Sequence, residues 1–286
     1  MKKYSVFHHH ICEAARETGC TVPEMMRQVR AMGITGIELE RDAIGTDDDA
    51  IRAFGRLLED TGLTPSSIYG FYSWQEDGEL PGEDDLLLRQ AELLGCGRVM
   101  IIPGFYTDPV DKEKCRQEKA RMIAGMQQLS AMAAARGLTP TIECFDDGRS
   151  PIATIEGMAE FLAAAPELMV TLETGNFIFS GDDILEAHRR FAGRTAHVHL
   201  KDRFIPRLAE GIPESLQDDP LLTAVTGERM CACAVGQGHM PIAEVLRRLD
   251  GQGYDGWLTI EHFYAVHYDR KIRESIAWLL ETEKQL

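Results

Sequence analysis

The sequence predicts a (β/α)8 barrel in a single domain, residues 1–286, on three observations. Short β-prone segments alternate with amphipathic helical runs along the whole chain. Glycines close the helical runs just before the next strand. No GxGxxG follows the first strand, which sets aside the doubly wound open sheet.

The first strand candidate is YSVF, from Tyr4, and His8, His9 and His10 are read as continuing it. Strand alternation then puts His8 and His10 on one side, and His10 is the one expected to line a pocket. TGIELE, from Thr35, carries Glu38 and Glu40 inward; Glu38 is a substrate-contact candidate, or else neutralises a partner on the barrel floor. TPSSIYGF and RVMIIPG follow as third and fourth strands, and the aromatics beyond them, Trp74 among them, are candidates for a sugar-stacking wall. TPTIECF, LMVTLETG, TAHVHLK and WLTIEHF complete the eight. Their starts fall about 27 to 41 residues apart except for the interval before the last. That interval holds an expected inserted loop at 204–235.

Between the strands, runs such as PEMMRQVRAMG, DDLLLRQAELLG and IAEVLRRLDGQG repeat apolar residues at i, i+3, i+4 and i+7. Such helices bury one face on a sheet. Gly33, Gly62, Gly95, Gly137 and Gly253 end them, and Asp47–Asp49 and Asp182–Asp183 place negative charge where a helix dipole favours it.

Composition narrows the function. The chain has 30 basic and 46 acidic residues, a formal charge of −16, which repels a phosphate backbone or an anionic membrane. Seven cysteines, an odd number scattered through the chain, fit a reducing compartment. No apolar run reaches transmembrane length and the first residues lack a signal-peptide core, so a cytoplasmic protein is expected.

In a barrel, the chemistry gathers at the C-terminal ends of the strands. Alternation sends Glu143, Glu173, His199 and Glu261 inward from four successive strands, with Lys201 beyond His199. Three carboxylates that close repel one another unless a cation neutralises them. Oxygen donors with one imidazole suit a divalent ion, Mn2+ first, with Mg2+ or Co2+ as alternatives and Zn2+ less favoured.

These segments, IECFDD, LETGNF, HVHLKD and GWLTIEHF with VGQGHMPIAEVL before the last, resemble the xylose isomerase-like barrel superfamily. The resemblance is to its sugar phosphate isomerase/epimerase branch, which includes ketose 3-epimerases and inosose dehydratase. It implies that Glu143, Glu173, His199 and Glu261 hold a metal and that Glu143 and Glu261 pass a proton beside a substrate carbonyl. Glu173 departs from the Asp usual there, and one methylene moves a carboxylate by about 1.5 Å against metal–ligand distances of about 2.0 to 2.6 Å. Asn176 matches a substrate-contacting position, and Lys201 is expected either to donate to substrate or to form an exposed salt bridge.

The expected function is therefore a metal-dependent isomerase or epimerase of a ketose, aldose or cyclitol. A dehydratase or lyase using the same site is the alternative, and a sugar-binding protein without turnover is a third. The expected partner is a small-molecule sugar or cyclitol, and the resemblance implies a homo-oligomer, dimer or tetramer. A nucleic-acid endonuclease of the same superfamily would need more metal-ligating histidines and a basic groove.

Overall fold

The computed structural model describes residues 2–76 and 80–285. Seven parallel strands come first: β1 Lys3–Phe7, β2 Gly36–Glu40, β3 Thr64–Phe71, β4 Arg98–Ile102, β5 Thr139–Ile142, β6 Met169–Glu173 and β7 Thr195–Leu200. Three short ones follow, β8 Asp202–Phe204, β9 Leu222–Thr223 and β10 Arg229–Cys233, and then β11 Trp257–Ile260. β1 to β7 and β11 form a closed barrel in which β11 pairs with both β7 and β1. The fold is the predicted (β/α)8 barrel.

Helices cover the outside: α1 His8–Thr18, α2 Val22–Ala31, α3 Arg41–Ile44, α4 Asp48–Thr61, α5 Leu86–Leu94 and α6 Lys112–Ala135. They continue with α7 Ile155–Ala164, α8 Phe177–Ser180, α9 Ile184–Phe191, α10 Ile242–Gly251 and α11 Tyr268–Glu283. The main core lies between helices and barrel. Val6, Ile37, Val99, Ile142, Leu172, Val198 and Ile260 are fully buried there. Full burial of such a side chain stabilises by roughly 1.5–3 kcal/mol, an upper estimate.

Helix ends follow the sequence. Thr21 and Glu24 form a reciprocal capping box on α2, and the Asp47 and Asp183 carboxylates accept from the first turns of α4 and α9. Gly62 and Gly95 take left-handed conformations just past α4 and α5.

One element differs from the sequence reading. The three histidines do not continue the first strand: β1 stops at Phe7 and His8 opens α1. His10, Ile11, Ala14 and Ala15 are buried at helical spacing, so period 3.6 wins once the chain leaves the barrel. The stretch expected as an inserted loop contains β9, β10 and two turns of 3-10 helix, with β10 pairing antiparallel to β8 and β9.

Asp202 ties this stretch to the barrel. Its carboxylate accepts from the backbone N–H groups of Gly236 (2.9 Å), Gly238 (3.0 Å) and Met240 (3.1 Å). A Cβ on Gly238 would sit 2.2 Å from the Asp202 carboxylate, so the VGQGHM turn requires glycine there. Among the described residues no helix is long and apolar enough to cross a membrane.

Candidate active site

One side of the barrel interior is polar from floor to mouth. On the floor, Glu38 reaches across from β2 to β7, where its Oε2 lies 2.8 Å from His197 Nε2 and 3.0 Å from His199 Nε2. Thr259 Oγ1 stands 3.0 Å from the same His197 nitrogen, and Thr171 donates to Thr141 at 2.9 Å. All of these side chains are sealed from solvent.

One layer higher, the other nitrogen of His199 faces the mouth. Its Nδ1 lies 2.8 Å from Glu143 Oε2 and 3.2 Å from Glu261 Oε2. The two carboxylates sit one residue past the ends of β5 and β11, where alternation continues inward. Glu38 against Nε2 and the two mouth carboxylates against Nδ1 fix the imidazole from both sides.

Burial and charge set the protonation pattern. Burial pushes Glu143 up to about 7 despite the neighbouring His199. For Glu261 burial also acts upward, but the Lys201 ammonium and His199 outweigh it and hold the carboxyl below its usual range. Burial would lower His199; the Glu38 and Glu143 carboxylates overcome it and hold the imidazole well above its usual value. Burial and then the Glu261 charge raise Glu173 well above the carboxylate range.

Glu143, His199 and Glu261 each offer a ligand atom, all within 4.8 Å of one another, and so do Glu38, His197 and His199 below them. The upper three fit a divalent ion by chemistry: two oxygens and an imidazole nitrogen. Glu261 Oε2 is buried and lies 3.2 Å from His199 Nδ1 without a well-aligned hydrogen bond, so it is open to a cation.

Glu173 lies outside that group of three. Its side chain turns onto its own loop, where it accepts from the N–H of Gly175 (2.8 and 2.9 Å) and of Asn176. These bonds hold the turn that leads into α8. Gly175 is required as well, because a Cβ there would lie 2.7 Å from the Lys201 carbonyl oxygen.

Lys201 is not in an exposed salt bridge. It is 1% exposed, and its Nζ meets Glu261 Oε1 (2.8 Å), Asn176 Oδ1 (2.8 Å) and Asp146 Oδ2 (3.3 Å). Burial would lower its pKa, but Asp146 and Glu261 raise it, so the ammonium stays charged. Arg203, equally buried, bonds the same Asp146 and reaches the Gly175 carbonyl at 3.2 Å. Neither Asp146 nor Arg203 stood out in the sequence. The doubled acid of IECFDD and the Arg after HVHLKD were the signal.

Above this layer opens a cavity of about 400 Å³, lined by Glu143, Asp146, Asn176, Lys201 and Glu261 on its polar side. The rest of the lining is mostly apolar and aromatic, with His9 and Glu40 among it. Two expected wall residues lie elsewhere. Trp74 is buried behind the lining, stacked on Tyr72 at 4.4 Å, where Gly125 of α6 leaves room for its ring. His10 is sealed under α1, its Nε2 accepting from the His262 N–H at 2.7 Å, and His9 reaches the cavity in its place. Glu38 stays on the floor while Glu40, the other inward residue of its strand, lines the cavity.

Comparison with known proteins agrees with the barrel fold. The inosose dehydratase of Clostridium perfringens is 27% identical over 148 residues, 51% of this chain and 47% of that protein. The chain thus matches about half the length of such dehydratases. A putative hydroxypyruvate isomerase of Streptomyces coelicolor is 24% identical over 276 residues, 87% of each chain. The crystal structure of the D-psicose 3-epimerase of Clostridium cellulolyticum with D-tagatose superposes with a TM-score of 0.68 at 14% identity, covering 99% of this chain and 98% of the other. The sequence profile of the xylose isomerase-like TIM barrel matches residues 26–282. With the closed barrel and its C-terminal carboxylate–histidine cluster, the chain belongs to the xylose isomerase-like TIM barrel family.

Proposed function

We propose that the protein is a divalent-metal-dependent isomerase or epimerase that moves a proton next to the carbonyl of a ketose, aldose or cyclitol. The observation that carries this reading is the Glu143–His199–Glu261 cluster at the bottom of the cavity. Those three residues would hold the ion. Glu173 would join as a fourth ligand only by giving up its bonds to Gly175 and Asn176. When bound, the ion supplies positive charge to adjacent substrate oxygens and so favours the negative charge that develops on proton loss.

The chain's own groups do the rest. Glu143, a carboxylate at the cavity floor, is placed to take and return a proton. Glu261, kept ionised by Lys201, acts from the other wall as its partner. Lys201 and Asn176 orient substrate oxygens by hydrogen bonds, and the buried Asp146–Arg203 pair holds the lysine in place. A dehydratase or lyase would use the same base and expel a leaving group beside the carbonyl. The named relatives include both kinds, and product mass separates them, either unchanged or reduced by water.

The test is elemental mass spectrometry of the purified protein, followed by Mn2+ titration of a chelated sample while the unfolding temperature is recorded. About one ion per chain is expected, lost in Glu261→Gln and His199→Gln. Glu173→Asp should bind Mn2+ more tightly if the shorter side chain leaves its backbone bonds for the ion. Absence of stabilisation by every divalent ion tried would overturn the reading.

A further inference from the structure

The cavity has two chemically different sides, and the proposed reaction uses only one. Most of the polar groups come from the loops after β5, β6, β7 and β11, joined by Glu40 at the end of β2 and His9 of α1. Facing them, Phe7, Tyr69, Met100 and Ile102 form a buried apolar cluster of their own, separate from the main core, with Phe105, Phe145 and Phe263 packed against it. The rings interlock: Phe105 meets Phe145 edge-on at 5.2 Å, and Phe71 meets Phe145 edge-on at 6.0 Å. Phe71 remains 38% exposed and Tyr264 47% exposed, both lining the cavity.

One apolar face of a sugar ring is satisfied by one or two aromatic rings. This lining offers more apolar surface than that, with Glu40 standing beside it where the Tyr69 hydroxyl meets its carboxylate at 3.4 Å. The polar side also restricts charge. Lys201 is the one lysine or arginine among the described lining residues, and its ammonium is already engaged by Asp146, Asn176 and Glu261. Apart from the proposed ion, a phosphate or carboxylate on the substrate would meet four carboxyl side chains, Glu40, Glu143, Asp146 and Glu261, beside a lysine already divided among three partners.

We infer that the substrate is an uncharged polyol bearing an apolar substituent about the size of a benzene ring. The polyol faces Glu143 and Glu261, and the substituent lies against Phe71, Phe145 and Ile102. This rests on the proposed function for the orientation of the polyol. The aromatic subsite itself stands on the lining alone.

The experiment is calorimetric titration of the intact protein with phenyl β-D-glucopyranoside, methyl β-D-glucopyranoside and glucose 6-phosphate. The phenyl compound is expected to bind at least tenfold more tightly than the methyl compound, and the phosphate more weakly than either. Phe71→Ala, a partly exposed position, should bring the phenyl and methyl affinities within about threefold; Phe145→Ala is the second variant. A phenyl compound that binds no better than the methyl one overturns the inference, as does preference for the phosphate. Mn2+ titration of the same samples separates the two readings. Ion binding without phenyl preference removes only the subsite, and phenyl preference without ion binding removes only the proposed reaction.

Discussion

Two lysines, each 1% exposed, do opposite work in this molecule. Lys271 of α11 is closed on every side. Its Nζ reaches both Asp219 oxygens, at 2.8 and 3.0 Å, and the Val266 carbonyl at 2.6 Å, while Asp219 also accepts from the Val266 N–H at 2.8 Å. That pair clamps the stretch after β8 to the loop after β11, the loop that carries Tyr264 at a left-handed φ of 67° to the cavity edge. Lys201 also meets carboxylates, yet its three partners, Asp146, Asn176 and Glu261, all line open space. A buried charge with all partners in protein is a staple. One whose partners face a cavity can be shared with a ligand.

Removing each lysine sharpens the contrast. Lys271→Met leaves Asp219 buried beside no cation and is expected to cost about 3–5 kcal/mol, measured by urea unfolding. Adding Asp219→Leu should recover most of that loss, and a single-variant cost below about 1 kcal/mol would break the comparison. Lys201→Met exposes Asp146 and Glu261 to cavity water, so its expected cost is smaller, about 1–3 kcal/mol. It also releases Glu261 from a competing cation. Mn2+ should then bind about tenfold more tightly, a shift of about 1.4 kcal/mol readable in the same titration.

The last effect is in pH. A carboxyl whose folded-state pKa lies above its unfolded value takes up a proton on folding, so its contribution is greatest below the unfolded value and lost as pH rises through the folded one. Burial pushes Glu143 up to about 7, so the metal-free protein should lose stability between about pH 4.5 and 7. Glu143→Gln should flatten that part of the curve. A slope unchanged in the variant would assign the titration to another group.

Much of this was legible in the chain. Strand alternation placed Glu143, His199 and Glu261 at one mouth because side-chain direction in a strand follows from position alone. The same rule brought Phe145 and Phe263 toward the cavity. It failed at His10, where it was carried past the end of β1 into a helix. It was also silent on Trp74, since a loop has no period, and Gly125 on a distant helix decides where that ring packs.

By itself, then, the sequence determined the barrel, the order of its elements and the residues that point inward, because these depend on short-range periodicity and turn chemistry. Only the tertiary structure decided which carboxylates meet. Glu173 and Glu261 both point into the barrel, but the first finds backbone N–H groups two and three residues away and the second finds His199 and Lys201 across it. Which partner a buried carboxylate takes depends on distances between segments far apart in sequence. Those distances, and with them the charge of the site, exist only after the barrel has closed.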